Sequence, residues 1–190
     1  MGVLKFINNM RRNKIAIFSF AGIGNSILSI PIIKLIRKKY SFAQLDLITT
    51  INPVYQLFNN QDYLSNVIWL NKNKKLNSIF ILRKQRYDIV ITTFPRGNLE
   101  LILGWLIGAK KRISNDYNYK TSFLNNLNIP IKNVHDVEQN LNLLKPLGIN
   151  IKEPKKEKLK LWLDKNDVRY ADNFFKNINK RLLIGFHPGG

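Results

Sequence analysis

The sequence predicts an α/β fold, a parallel sheet whose connecting helices pack on both faces. Three observations carry that expectation. Short apolar runs alternate with stretches of helical spacing along most of the chain. The runs Ile15–Phe20 and Ile89–Ile91 are continuously hydrophobic, as strands buried on both faces require. A glycine turn, Gly22-Ile23-Gly24-Asn25-Ser26, joins the first run to the first helical stretch, and sheets of this kind bind ligands with loops at the carboxyl ends of their strands.

The elements follow in order. Residues 1–13 have Val3, Leu4, Ile7 and Met10 at helical spacing beside Lys5, Arg11 and Arg12. They read as a short amphipathic helix or a frayed terminus. Lys14–Phe20 is the first strand and Ser26–Lys39 the first helix, through Ile27, Ile30, Ile33 and Ile36. Leu45–Thr49 is a strand, Pro53–Asn59 a short helix with proline in its first turn, and Val67–Leu70 a third strand. Lys75–Gln85 is a basic helix, Asp88–Thr93 a fourth strand, Leu99–Ile107 an apolar helix and Lys111–Ile113 a short fifth strand. Ser114–Pro130 is polar and rich in Asn, and reads as a long surface loop. Asp136 and Gln139 make a capping-box pattern opening a helix that Gly148 stops. Lys152–Lys160 is a charged linker, Asn166–Ile178 a helix, and Arg181–Phe186 a new β-run leading into His187-Pro188-Gly189-Gly190. The expected division is residues 1–150 as one domain, 151–180 as linker and connecting helix, and 181–190 as the first strand and turn of a second α/β domain.

Composition narrows the chemistry. Of 190 residues, 45% are hydrophobic and 23% charged, which places the chain among globular proteins. The absence of cysteine excludes disulfides, cysteine-ligated zinc and a thiol nucleophile. A formal charge of +19 suits polyanionic partners, whether nucleic acid, anionic lipid or a phosphorylated glycan. Abundant Lys, Asn and Ile together also fit an AT-biased genome, which would give such a charge without function. Ile15–Ile33 has no charged side chain, yet Gly22–Ser26 and Pro31 interrupt it, so strand, loop and helix explain it better than a membrane span.

As a bare pattern the glycine turn is weak. Ile27 stands where the dinucleotide fingerprint needs its last glycine, and no Gly-Lys-Ser/Thr phosphate loop occurs. Five segments in order are more specific. Phe20–Tyr40, with Gly24-Asn25 and then Pro31, resembles the opening signature of glycosyltransferase family 9, which includes the ADP-heptose:lipopolysaccharide heptosyltransferases. Tyr87–Asn98, Gly108-Ala-Lys-Lys-Arg-Ile113, His135–Gly148 and Ile184–Gly190 resemble that family's later motifs.

The resemblance implies the N-terminal half of a GT-B enzyme, a Rossmann-like domain that takes the acceptor and faces a nucleotide-sugar domain across a cleft. It implies inverting, metal-independent transfer, with no cofactor beyond the nucleotide-sugar donor, ADP-heptose being the candidate. The implied partners are an anionic glycolipid acceptor and the inner face of the cytoplasmic membrane, with the protein a peripheral monomer. Gly22, Gly24, Ser26, Arg96 and Asn98 are the implied acceptor contacts, and His187, Gly189 and Gly190 the donor contacts. Asn25 occupies the position of the family's proposed base, normally Asp. An amide cannot take a proton near neutral pH, although it can orient a hydroxyl.

Three readings of Asn25 stay open. Asp88 or a residue of a second domain acts as base, the acceptor chemistry differs, or the protein is a catalytically impaired relative. His135 fits a structural place before a capped helix better than a base. Lys72, Lys74, Lys75, Arg83, Lys84 and Arg86 form a basic stretch suited to an anionic lipid. The competing function is a non-catalytic anion- or membrane-surface binding domain. Nucleic acid is disfavoured, since no helix-turn-helix, RNP-like motif or aromatic–basic interleaving is present.

Overall fold

A computed structural model of the chain describes residues 13–70, 75–95, 97–116, 120–149, 151, 159–161, 163–176, 178 and 184–186. It divides into two units, Met1–Lys160 and Leu161–Gly190.

The first unit is built on six parallel strands: β1 (Lys14–Ser19), β2 (Gln44–Thr49), β3 (Asn66–Trp69), β4 (Ile89–Thr93), β5 (Lys111–Asp116) and β6 (Leu127–Pro130). Their order across the sheet is β3-β2-β1-β4-β5-β6. Registers such as Ile17 with Leu47, Ile17 with Ile91 and Ile91 with Ile113 carry an unbroken apolar band through the centre. The parallel, doubly covered sheet expected from the continuous apolar runs is therefore observed. β1 is central, and the chain reverses its direction of winding between β1 and β4.

Described helices of this unit are α1 (Ile23–Ile27), α2 (Ile30–Lys39), α3 (Asn52–Phe58), α4 (Lys75–Gln85), α5 (Asn98–Leu106) and α6 (Asp136–Asn142). Alternate residues of each strand feed opposite faces. On one face Ala16, Phe18, Ile48 and Val90 pack with Leu82 of α4 and Leu103 and Ile107 at α5. Ser19, one register step from Phe18, faces α1 through a 2.8 Å bond between its hydroxyl and that of Ser26. Ile30, Ile32, Ile33 and Ile36 of α2 are fully buried.

Several expectations need correction. The single helix Ser26–Lys39 is two helices separated at Leu28 and Ser29. Pro31 has no N–H to continue the ladder, and the Ser29 hydroxyl donates to the Ser26 carbonyl at 2.6 Å, offering the backbone another partner. Ser114–Pro130 is not one loop: β5 runs on to Asp116, Ser122–Leu124 is a 3-10 turn, and Leu127–Pro130 forms an edge strand on β5. Asn126 fixes that edge by accepting from the Arg112 amide at 2.7 Å and donating to the Lys110 carbonyl at 2.6 Å. The α6 cap is His135, whose Nδ1 accepts from the Val137 amide at 3.2 Å, so the Asp136–Gln139 capping box does not form. Gly148 adopts φ 66° at the end of the Lys145–Leu147 turn, the left-handed stop expected of it.

In the second unit, α7 (Lys165–Lys176) begins where Asp164 Oδ1 accepts from the Asn166 and Asp167 amides at 2.6 and 2.9 Å. Phe174 and Phe175 meet edge-on at 5.1 Å. Ile184–Phe186 is described without strand structure; residues 181–183 of that expected β-run, most of the 152–160 linker and the amino-terminal stretch 1–12 lie outside the described residues.

Candidate functional site

The carboxyl ends of β1 and β4 are where this fold opens a crevice, because their following connections leave on opposite faces of the sheet. Each connection has a glycine immediately before its helix, Gly22 and Gly97. After β1, Gly22 precedes the single turn of α1. The Ser26 amide is the first to close onto a helical carbonyl, that of Gly22 at 3.0 Å, so the amides of residues 23–25 precede the hydrogen-bonded ladder. Ile23 and Gly24 are exposed and Asn25 is half-buried. A Cβ built on Gly24 would meet nothing within 4 Å. Within the described residues no hydrogen bond holds the Asn25 side chain. The turn is thus open to solvent rather than sealed.

Ser26 sits differently. It is fully buried, bonded to the Ser19 hydroxyl and donating to the Gly22 carbonyl at 3.1 Å. It fastens the turn to the sheet from below, so the expected direct contact with an acceptor is corrected to a positioning role.

After β4, Phe94 takes φ 48° and Gly97 φ 155° with ψ −149°. The first is a left-handed conformation that a bulky side chain resists, and the second is open essentially to glycine alone. Strain of this kind beside β1 marks a loop whose shape the surrounding fold enforces. Asn98 is exposed at the start of α5, where its Oδ1 accepts from the Thr121 hydroxyl at 2.6 Å. Arg96, His187, Gly189 and Gly190 lie outside the described residues.

Beneath both loops the carboxyl edge of the sheet turns polar. Thr49, Ser19, Thr93 and Asn115 are each no more than 2% exposed and follow one another across β2, β1, β4 and β5. Thr93 donates to the Phe18 carbonyl at 3.1 Å, and Thr49 accepts from the Ile51 amide at 3.1 Å. Gln139 of α6 donates to Asn115 Oδ1 at 2.5 Å, while Asn115 Nδ2 is buried with no partner among the described residues. Asn140, next along α6, buries both amide atoms with no partner among the described residues. Such groups cost about 1–3 kcal/mol each when unsatisfied, and they concentrate where a fold has polar work to do. Sequence reasoning missed this row because Ser, Thr and Asn scattered over four strands share no local motif. It also missed Glu100, a carboxylate only 3% exposed in the first turn of α5.

The other end of the sheet gathers residues that the motifs had drawn attention to. Asp88 accepts from the Lys14 amide at 3.1 Å and pairs with Lys110 at 3.0 Å, at the amino end of β4. That is a strand's length, roughly 16 Å, from the glycine turn, so the expectation of Asp88 as base is overturned. Tyr87 donates to buried Asp46 at 2.7 Å, and Gln44 and Asn66 complete that carboxylate's bonds at 2.7 and 2.8 Å. Burial first, and then the bond to Asp46, push the Tyr87 phenol far above its ordinary range. Arg112 of the Gly-Ala-Lys-Lys-Arg segment donates to the Leu124 carbonyl at 2.6 Å and the Ala109 carbonyl at 2.5 Å. Two hollows of about 550 and 540 Å³ also lie at this end, and neither includes the glycine turn. Among the described residues no group of three or more His, Cys, Asp or Glu is placed to hold a metal.

No protein-family model matches the chain. By sequence it is 26% identical over 141 residues to lipopolysaccharide heptosyltransferase 3 of Escherichia coli, covering 67% of this chain and 41% of that protein. Against lipopolysaccharide heptosyltransferase 3 of Escherichia coli strain K12 it is 29% identical over 181 residues, covering 84% and 46%. The chain is homologous to lipopolysaccharide heptosyltransferase 3 of Escherichia coli. It spans less than half the length of these curated relatives.

The fold of the chain agrees with these sequence matches. A glycosyl transferase family 9 structure from Veillonella parvula DSM 2008 superposes with TM-score 0.67 at 19% identity, over 86% of this chain and 49% of that one. Escherichia coli ADP-heptose lps heptosyltransferase II gives 0.66 at 17%, over 88% and 51%. Escherichia coli heptosyltransferase WaaC with ADP gives 0.63 at 16%, over 86% and 53%. The six-stranded parallel α/β fold matches about half of these glycosyltransferase structures, as expected of one half of a GT-B architecture. No described helix is long and apolar enough to cross a membrane.

Proposed function

We propose that this protein transfers heptose, or a related sugar, from a nucleotide sugar to a lipopolysaccharide-type acceptor, and that the β1–β4 crevice receives the acceptor. The observation that carries this reading is the exposed Gly22–Asn25 turn at the switch point of a sheet related in sequence to lipopolysaccharide heptosyltransferase 3. An acceptor hydroxyl attacks the anomeric carbon of the donor sugar, the nucleoside diphosphate departs, and the configuration inverts, with no metal and no cofactor beyond the donor. ADP-heptose is the first donor to test. The work takes place at the inner face of the cytoplasmic membrane, where a lipid-linked acceptor is presented.

In this scheme Asn25 orients the attacking hydroxyl through its amide, which no other described residue engages. It does not accept the proton. Asp88 faces the wrong end of the strand, so the base lies elsewhere. Glu100, buried in the first turn of α5 after β4, is one described carboxylate to test for that role by Glu100→Gln. On the donor side, His187, Gly189 and Gly190 would hold the diphosphate.

Release of nucleoside diphosphate from ADP-heptose by the full-length protein, dependent on a lipopolysaccharide acceptor, supports the proposal. No turnover with any of a panel of nucleotide sugars refutes it. Asn25→Asp supplies a carboxylate where the amide stands, and a positioned base contributes roughly 10²–10⁴-fold. We expect turnover to rise at least about tenfold; an unchanged rate would place the base away from this turn.

A further inference from the structure

Helix α5 is built inside out. Its one charged residue, Glu100, is turned inward and 3% exposed, while Leu99 and Trp105 stand 55% and 52% exposed. Leu99, Ile102, Trp105 and Leu106 fall at i, i+3, i+6 and i+7, so they line one outward stripe of about two turns. The stripe is widened on both sides. The turn Ser122–Leu124 packs beside α5 and exposes Phe123 at 78%. On the other flank α4 presents Phe80 at 62% and Ile81 at 56%. The two helices are tied there by Arg83, which donates to the Leu106 carbonyl at 2.9 Å. A helix that is apolar on its outer side as well as its inner one is normally covered, and contiguous apolar surface of this kind marks an interaction site.

Charge indicates what covers it. Arg83, Lys84, Arg86 and Lys110 line the 550 Å³ hollow between the ends of α4 and α5, with Phe80 and Ile107 as its apolar walls. Asp88 is the acidic member of that lining, and it is paired with Lys110. Lys84 Nζ lies 4.7 Å from the Phe80 ring, so cation and aromatic are presented together. Aromatic and aliphatic side chains flanked by cations match the boundary of an anionic bilayer, where rings sit at headgroup depth and lysines meet phosphates. A protein partner would need only the apolar part of this surface.

We propose that the outer face of α4 and α5, with Phe123, is the surface by which this protein lies on an anionic membrane. The stripe starts at Leu99, one residue after Asn98 on the crevice rim, so docking here brings the acceptor loops to the lipid surface. The inference deepens the peripheral-membrane part of the proposed function. It does not depend on sugar transfer, because vesicle binding is measured without donor or acceptor.

The test is co-sedimentation of the full chain with vesicles of phosphatidylcholine and phosphatidylglycerol, 70:30 being about the anionic content to use, against phosphatidylcholine alone. In a Trp69→Phe, Trp162→Phe background, Trp105 emission reports depth through a blue shift and quenching by brominated lipid. We expect binding to the anionic vesicles that weakens with salt, Trp105 quenching, a loss of about fivefold in partition for Lys84→Ser, and a larger loss for Leu99→Ser with Trp105→Ser. Unaltered urea unfolding of these surface variants shows that they fold. Absence of binding to anionic vesicles, or binding that neither variant alters, overturns the proposal. So does Trp105 emission already blue-shifted without lipid, which would mean that protein covers the face. Turnover on a water-soluble acceptor fragment, unchanged in Trp105→Ser, separates failure of docking from failure of the sugar-transfer reading.

Discussion

Gly24→Ala separates the demands of folding from those of binding at the glycine turn. Gly24 is the second residue of α1, exposed, with helical neighbours on both sides, and an added Cβ meets no atom within 4 Å. Nothing in the fold therefore resists the methyl. Alanine restricts the unfolded chain and is the better helix former, so the variant should be more stable by about 0.5–1 kcal/mol, or about 1–4 °C in Tm for a chain of this size. The same methyl projects into the space where a ligand would reach the backbone. Overpacking a contact by one carbon costs about 1–3 kcal/mol, which is a loss of roughly 5- to 150-fold in kcat/KM. Urea unfolding measures the first quantity, and diphosphate release by the full-length protein measures the second. Greater stability with unchanged kcat/KM would refute close ligand approach at this turn. Lower stability would refute the open local geometry itself.

Other outcomes follow from the polar contacts at the amino end of the sheet. Tyr87→Phe removes the 2.7 Å bond to buried Asp46 and should cost about 1.5–3 kcal/mol in urea unfolding while leaving kcat within about twofold; a cost below about 0.5 kcal/mol would deny the bond its structural role. Tyr63 is 8% exposed with its hydroxyl unpaired among the described residues, so Tyr63→Phe should be neutral or stabilising by up to about 1 kcal/mol, and a clear loss of stability would reveal a partner for that hydroxyl. Both phenols are pushed up, chiefly by burial. A raised folded-state value favours the protonated form, so this contribution is intact below the unfolded value of about 10 and is lost as pH rises beyond it. Two such tyrosines give a slope approaching about −2.7 kcal/mol per pH unit above pH 11 or so. The double Phe variant should flatten the stability–pH curve there, and an unchanged slope would refute the assignment.

The recognised motifs prove to be of two kinds. Tyr87 and Asp88 fix the amino end of β4, Arg112 ties α5 and the Ser122–Leu124 turn to the sheet, and His135 caps α6. These residues stand out in sequence because long-range bonds need particular side chains, and their roles are structural. Gly22–Asn25 and Gly97-Asn98 are what remains, at the carboxyl ends of β1 and β4, for the proposed acceptor. The helix break at Leu28–Ser29 was foreshadowed by Pro31, but Pro31 alone is equally at home in the first turn of a helix or at a kink. The edge strand Leu127–Pro130 was hidden because its Asn and Pro have low strand propensity, and only β5 alongside makes it a strand.

Sequence by itself determined the class of fold, since burial on both faces leaves an unbroken apolar run and a crossover helix such as α2 leaves a 3.6-residue period. It also marked the glycine turn after β1, where Gly24 leaves the chain bare. Tertiary structure decided which residues meet. Strand order sets Ser19 beside Thr93 and sends Asp88 to the opposite end. Helix orientation turns Glu100 inward and Trp105 outward. Such relations depend on register and packing across the sheet, between residues as much as 75 positions apart. A local pattern of side chains carries no record of them.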